Sequence, residues 1–137
     1  MTFPLEIVTP ERIAFTDQVE MVVVPTKVGN IGILPRHISL FAQLTEGILK
    51  IKKHQEEYYL SIGGGFIEVA KDKTIVLVTR AVKSTELNEQ DILKAKQAAE
   101  VALKQKPMGA ALTTYKTLYR QSLIDLKLLR RRKQRIH

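Results

Sequence analysis

Side chains able to do chemistry are few in this sequence, and their spacing decides what they can do. The three histidines fall in a turn (His37), a hairpin loop (His54) and the last position (His137). None has a carboxylate or second histidine at the spacing of a metal site or a nucleophile–base pair, so they read as solvated loop residues. Glu56 and Glu57 are adjacent in a strand-like run and so point to opposite faces, which rules out a shared acid and base role. Gly63, Gly64 and Gly65 have the composition of a phosphate-cradling loop, but such a loop leads into a helix and here a strand-like run follows. They read instead as a bulge, a tight bend or a close approach of backbones. With no cysteine there is no thiolate nucleophile, thiolate metal site or disulfide. What remains is charge. The chain ends in Lys127, Arg130, Arg131, Arg132, Lys133 and Arg135, with five cations in the six positions 130–135. One or two of these complement a helix dipole, but a cluster this dense repels itself and asks for an anionic partner. Recognition of charge, not catalysis, is the chemistry these residues offer.

The charge is unevenly placed. Residues 1–87 hold ten Lys/Arg against ten Asp/Glu, whereas residues 88–137 hold twelve against four, so the whole net charge of +8 lies in the last fifty residues. At 137 residues, 45% apolar and 26% charged, the chain has the composition of one ordinary core with an appendage. The amino-terminal MTFPLEIVTPERI lacks a basic segment followed by a long apolar one, and no window reaches the ~18 apolar residues of a membrane span. The expectation is a soluble, unprocessed chain from a reducing compartment.

The elements that would position these groups fall into two kinds. From Leu5 to about Val82, short β-rich runs (LEIV, RIAF, VEMVVVP, SLFAQL, GILKIKK, YYLSI, FIEVA, TIVLVTRAV) recur at the spacing of an all-β sandwich or barrel. Lys50 and Lys52 alternate with Leu49 and Ile51 as in a half-buried strand, and Val22, Val23 and Val24 read as a strand covered on both faces. Lys71, Asp72 and Lys73 read as one hairpin turn and residues 54–56 as another. Residues 29–47, GNIGILPRHISLFAQLTEG, form a corner in which glycine and proline turn the chain beside Ile31, Ile33 and Leu34. An apolar corner either packs beneath the sheet or faces a partner. After Ser84 the pattern becomes helical. Asn88, with Asp91 three residues on, starts a helix to Lys106 with an alanine seam of Ala95, Ala98, Ala99 and Ala102 beside Ile92 and Leu103. Pro107 and Gly109 break it, and a second helix over residues 110–135 carries the stripe Leu112, Tyr115, Tyr119, Ser122, Leu126 and Leu129. Two such helices joined by a short turn make an antiparallel hairpin.

EMVVVPTKVGNIGILPRH (residues 20–37), LSIGGGFIEV (60–69) and TIVLV running into two helices occur in an order and spacing that resemble the epsilon subunits of bacterial F-type ATP synthases across the whole chain. The resemblance implies an α+β protein: a β-sandwich of about ten strands over residues 1–86, then a basic α-helical hairpin over residues 87–137. It implies a non-catalytic central-stalk subunit without a cofactor, peripheral to the cytoplasmic face of the bacterial plasma membrane and not a homo-oligomer in function. Its partners would be the gamma subunit, the c ring and the catalytic head, and its role would be to couple the stalk to the ring for proton-driven ATP synthesis. Ile31, Leu34, Arg36 and His37 would contact the ring, with Ser39 standing where the family often has proline. The hairpin would act as a regulatory arm that hinders ATP hydrolysis, with Arg120, Lys127, Arg130, Arg131, Arg132, Lys133 and Arg135 meeting an acidic loop of the beta subunits. Some relatives bind ATP through a motif that falls here on residues 87–92. Asn88 and Asp91 replace its acid and its arginine, and a carboxylate there repels phosphate; shifted by three residues, the match becomes Asp91 and Lys94.

A second reading comes from the basic helix alone: a free-standing protein that binds nucleic acid or another anionic surface. Against it, the β portion lacks aromatics at regular strand positions for base stacking, and Tyr115 and Tyr119 belong to the helical seam.

Overall fold

The computed structural model describes the backbone of residues 1–136 and the side chains of residues 1–131. The chain divides into two compact units, the first being Met1–Lys83 and the second beginning at Ser84.

The first unit is a sandwich of two five-stranded sheets. Its strands are β1 (Phe3–Val8), β2 (Ile13–Val19), β3 (Met21–Thr26), β4 (Gly29–Ile33), β5 (Leu40–Leu44), β6 (Gly47–Lys53), β7 (Glu56–Ile62), β8 (Gly65–Val69), β9 (Thr74–Val78) and β10 (Ala81–Lys83). One sheet has the order β2-β1-β9-β8-β5 and the other β10-β7-β6-β3-β4. All neighbours run antiparallel except β1 and β9, which pair in parallel from Leu5 with Thr74 to Val8 with Leu77. Period-two alternation turns Leu5, Ile7, Ile67, Val69, Val76 and Val78 of the first sheet inward. They meet Val22, Val24, Ile33, Leu49, Ile51, Leu60 and Ile62 of the second, all buried in one core. Burying each such side chain contributes roughly 1.5–3 kcal/mol, which is why strands this short hold together.

Two runs that read as single strands each change sheet. VEMVVVP bends at Glu20, with Val19 ending β2 in the first sheet and Met21 opening β3 in the second. TIVLVTRAV likewise divides at Thr79 and Arg80 into β9 and β10. The valine triplet differs from its expected double cover: Val22 and Val24 are buried, but Val23 is half-buried and sits opposite Lys50 on β6.

The glycines at 63–65 mark another change of sheet, from β7 to β8, and are there for close approach. A Cβ on Gly65 would stand 1.9 Å from the Leu77 carbonyl oxygen, and one on Gly63 2.1 Å from Thr79 Oγ1. The β6–β7 hairpin turns through His54 and Gln55, both at positive φ (53° and 64°), the two-residue geometry whose twist matches the strands it joins. Lys71, Asp72 and Lys73 form the β8–β9 turn, closed by the Ala70 N–H donating to the Lys73 carbonyl at 3.0 Å.

The second unit holds a one-turn 3-10 helix (Ser84–Glu86) and the helices α1 (Glu89–Lys104) and α2 (Gly109–Ile136). Asn88 caps α1, its side-chain oxygen accepting from the Asp91 N–H at 3.1 Å. Lys106, at φ 54°, and Gly109, at φ 63°, turn the chain between the helices. The α2 stripe faces the helical interior as its spacing requires: Leu112, Tyr115 and Tyr119 are half-buried, and Ser122, Leu126 and Leu129 are buried. The Ser122 hydroxyl donates to the Leu118 carbonyl at 2.8 Å, so burying it leaves no unmet donor. Leu126 and Leu129 cluster with Ile92 and Leu87. The α1 seam is narrower than the alanine pattern implies. Ile92 and Ala99 are buried and Ala102 and Leu103 half-buried, while Ala95 and Ala98 are exposed. Alanine favours a helix at any position and so does not by itself mark the packed face.

Candidate interaction surfaces

Three surfaces carry exposed groups of a distinct character. At the corner, β4 is an edge strand paired only to β3, from Val22 with Ile33 to Thr26 with Gly29. Ile33 is buried in the core and Ile31 is half-buried against it, so of the three apolar residues beside the turn it is Leu34 that stands out, 56% exposed. The His37 N–H donates to the Leu34 carbonyl at 3.1 Å, closing a four-residue turn through Pro35 and Arg36. The guanidinium of Arg36 is exposed, while His37 is half-buried with Nδ1 2.7 Å from the Ile38 carbonyl oxygen. Ile38 itself is 80% exposed. Ile38 escaped the sequence reading, although its position beside His37 in an apolar corner was the signal for it.

The outer face of the first sheet is the second surface, and little in the apolar pattern marked it. Phe41 on β5 and Phe66 on β8 stack with ring centroids 5.4 Å apart. Phe66 pairs across to Leu77, Leu77 to Val8, and Val8 to Ile13, so apolar side chains cross the sheet from edge to edge. Phe41, Leu77 and Ile13 are each more than half exposed. A groove of about 410 Å³ lies beside them, lined by Val8, Pro10, Phe66, Leu77 and Thr79 among others. In TIVLV both parities are apolar, and in LFAQL Phe41 has the parity opposite to Leu40 and Leu44, so alternation alone did not say that one parity stays outside.

The third surface is the outer face of α2. Lys116, Arg120, Leu123, Lys127 and Arg130 recur at intervals of four and three and are all exposed, a line about 21 Å long at 1.5 Å per residue. Arg131 is exposed beside it. The Arg132, Lys133 and Arg135 side chains lie outside the described residues. Arg120 Nη2 also reaches Thr117 Oγ1 at 3.4 Å. Asp91 and Lys94 are exposed in the first turns of α1, and the Asp91 backbone is held by the Asn88 cap.

Other polar pairs brace the sandwich. Glu56 accepts from Tyr58 at 2.8 Å and Glu57 accepts from Tyr59, so the two adjacent glutamates do serve different faces of β7. Hydrogen bonding to Glu56 raises the Tyr58 phenol above its ordinary value. Lys53 on β6 bonds Asp17 on β2, joining the two sheets, and this bond holds the Asp17 carboxyl below its ordinary range. No group of metal-binding side chains occurs among the described residues. No helix among them is long and apolar enough to cross a membrane.

Residues 2–84 match the family model for the ATP synthase delta/epsilon chain β-sandwich domain. The ATP synthase epsilon chain of Dehalococcoides mccartyi is 37% identical over 132 residues, covering 95% of this chain and 94% of its relative. That of Herpetosiphon aurantiacus is 32% identical over 135 residues, covering 98% and 99%. The sodium-ion-specific epsilon chain of Propionigenium modestum is 33% identical over 123 residues, covering 82% and 90%. Among solved structures, a chain of the Euglena gracilis mitochondrial ATP synthase (OSCP/F1/c-ring, rotational state 1) shares the fold at a TM-score of 0.67 and 22% identity, over 99% of this chain and 82% of the other. A chain from the central stalk and c ring of the Tetrahymena thermophila enzyme does so at 0.62 and 14%, over 94% and 97%. A ten-stranded sandwich and two helices, matched nearly end to end by such relatives, place this chain in the ATP synthase epsilon chain family.

Proposed function

We propose that the chain works as a non-catalytic subunit of the central stalk of an F-type ATP synthase, coupling the stalk to the c ring and restraining ATP hydrolysis through its helices. The observation that carries this is the separation of roles along the chain. A sandwich with balanced charge bears an open apolar face, and a separate helical unit bears the line of cations Lys116, Arg120, Lys127 and Arg130. An apolar face crossing a whole sheet suits a permanent partner, and in this reading that partner is the gamma subunit, docked over Phe41, Phe66 and Leu77. The corner, with Leu34, Arg36, His37 and the half-buried Ile31, meets the ring. The cations of α2, together with Arg131, Arg132, Lys133 and Arg135, meet an acidic loop of the beta subunits. Exposed pairs of this kind are weak one at a time, so several together give a brake that can be released. The protein then lies peripheral to the membrane, on the cytoplasmic face, held there by the complex. One relative of similar identity is named as sodium-ion specific, and in this reading the driving ion is set by the ring and not by this chain.

Deleting residues 88–137 tests both halves of this reading. The expected result is a complex that still assembles with gamma and the ring and hydrolyses ATP faster than the complete enzyme. Unchanged hydrolysis would remove the braking role, and loss of assembly would remove the sandwich as the docking body.

A further inference from the structure

The turn at residues 34–37 makes a demand that its sequence meets at a cost. Pro35 is second in the turn and Arg36, at φ 64°, is third, the arrangement in which glycine is the least strained residue. An arginine standing there strains the backbone, and strain of this kind concentrates where a side chain has work to do.

The surroundings indicate the work. Arg36 lines a cleft of about 40 Å³ that is also lined by His37 and, from the β8–β9 turn, by Lys71, Asp72 and Lys73. Lys73 is engaged by Glu6 at 3.3 Å. Neither Arg36 nor Lys71 has an ion pair among the described residues, and Asp72, on the same turn, pairs with neither. Phe3, Pro4, Leu34 and Val69 line the same cleft with apolar surface, Leu34 being 56% exposed. A charged centre ringed by side chains that exclude water is the layout of a binding hot spot.

We propose that Arg36 and Lys71 form a two-cation clamp for a carboxylate on the protein surface that the corner docks against. This rests on the ring-facing reading above and makes an acidic side chain of the ring's exposed loops the occupant. Arginine offers a bidentate fork to such a group, and Lys71 adds a second charge from another loop.

The test measures binding of the full chain to the purified c ring at low and moderate salt, with Arg36→Gly, Arg36→Asn, Arg36→Lys and Lys71→Gln. Glycine and asparagine both accept the positive φ, so these variants should fold with a melting temperature equal to or above that of the parent. They should bind the ring about ten-fold more weakly at low salt and with a shallower salt dependence, the lysine variant lying between. Lys71→Gln should cost about three-fold. Parent-like binding by the Gly and Asn variants overturns the clamp while leaving the ring contact standing. So does a loss that salt does not change. Failure of the parent chain to bind the ring overturns the ring-facing reading and the clamp with it. If binding to phosphatidylglycerol vesicles is lost in Arg36→Gly while ring binding is kept, the site belongs to lipid and the clamp is overturned.

Discussion

Gly65 and Gly32 are both strand glycines, yet the fold treats them differently. At Gly65 a side chain would enter the Leu77 carbonyl, and the nearest obstacles are backbone atoms that cannot swing aside. At Gly32, on the edge strand β4, a Cβ meets nothing within 4 Å. Gly65→Ala must therefore push β8 away from β9 and should cost about 3 kcal/mol, at the upper end for overpacking. Gly32→Ala should stay within about 0.5 kcal/mol of the parent. Urea unfolding followed by circular dichroism reads both; equal midpoints for the two variants would show that β8 and β9 do not approach as closely as described. The glycine triplet was legible in the sequence as a close approach. Which backbone it approaches was not, because Leu77 and Thr79 lie more than ten residues further on and only pairing of β8 with β9 brings them in.

At the scale of elements, alternation carried most of the sandwich. Leu49 and Ile51 against Lys50 and Lys52 fix which way β6 faces, and the helical stripe from Leu112 to Leu129 fixes the buried side of α2. Changes of sheet were not legible. The bend at Glu20 and the break at Thr79 and Arg80 are one- and two-residue polar interruptions of the kind a continuous half-buried strand also carries, so nothing in the run marks the change of sheet. The outer face of the first sheet was missed because TIVLV is apolar on both parities, and with it the surface proposed for gamma. That face carries its own expectation. Phe66→Glu and Leu77→Glu place charge on exposed positions, so the isolated chain should lose no more than about 1 kcal/mol, the worth of the stacked Phe41–Phe66 pair. Binding to gamma should fall at least 100-fold, as for a hot-spot aromatic. Co-elution of the double variant with gamma on a sizing column would place the docking surface elsewhere.

For the whole molecule, the two surfaces proposed to hold partners respond in opposite ways to one variable. An apolar dock is indifferent to added salt or strengthened by it, whereas a line of exposed cations loses its reach as the Debye length contracts from about 8 Å at physiological ionic strength to about 3 Å at 1 M. The chain places these on separate units, apolar on the sandwich and cationic on α2. Raising salt should then release the helical brake while leaving the sandwich bound. In an assembled enzyme, the ratio of hydrolysis by the 88–137 deletion to hydrolysis by the complete form should fall toward one as salt rises from roughly 0.05 to 0.5 M, with this chain retained on gamma throughout. A variant with Lys127, Arg130 and Arg131 all changed to glutamine should start near the released rate and respond little to salt. If the ratio stays constant while the chain remains bound, inhibition does not run through the cations, and the exposed Leu123 in the middle of their line becomes the contact to test.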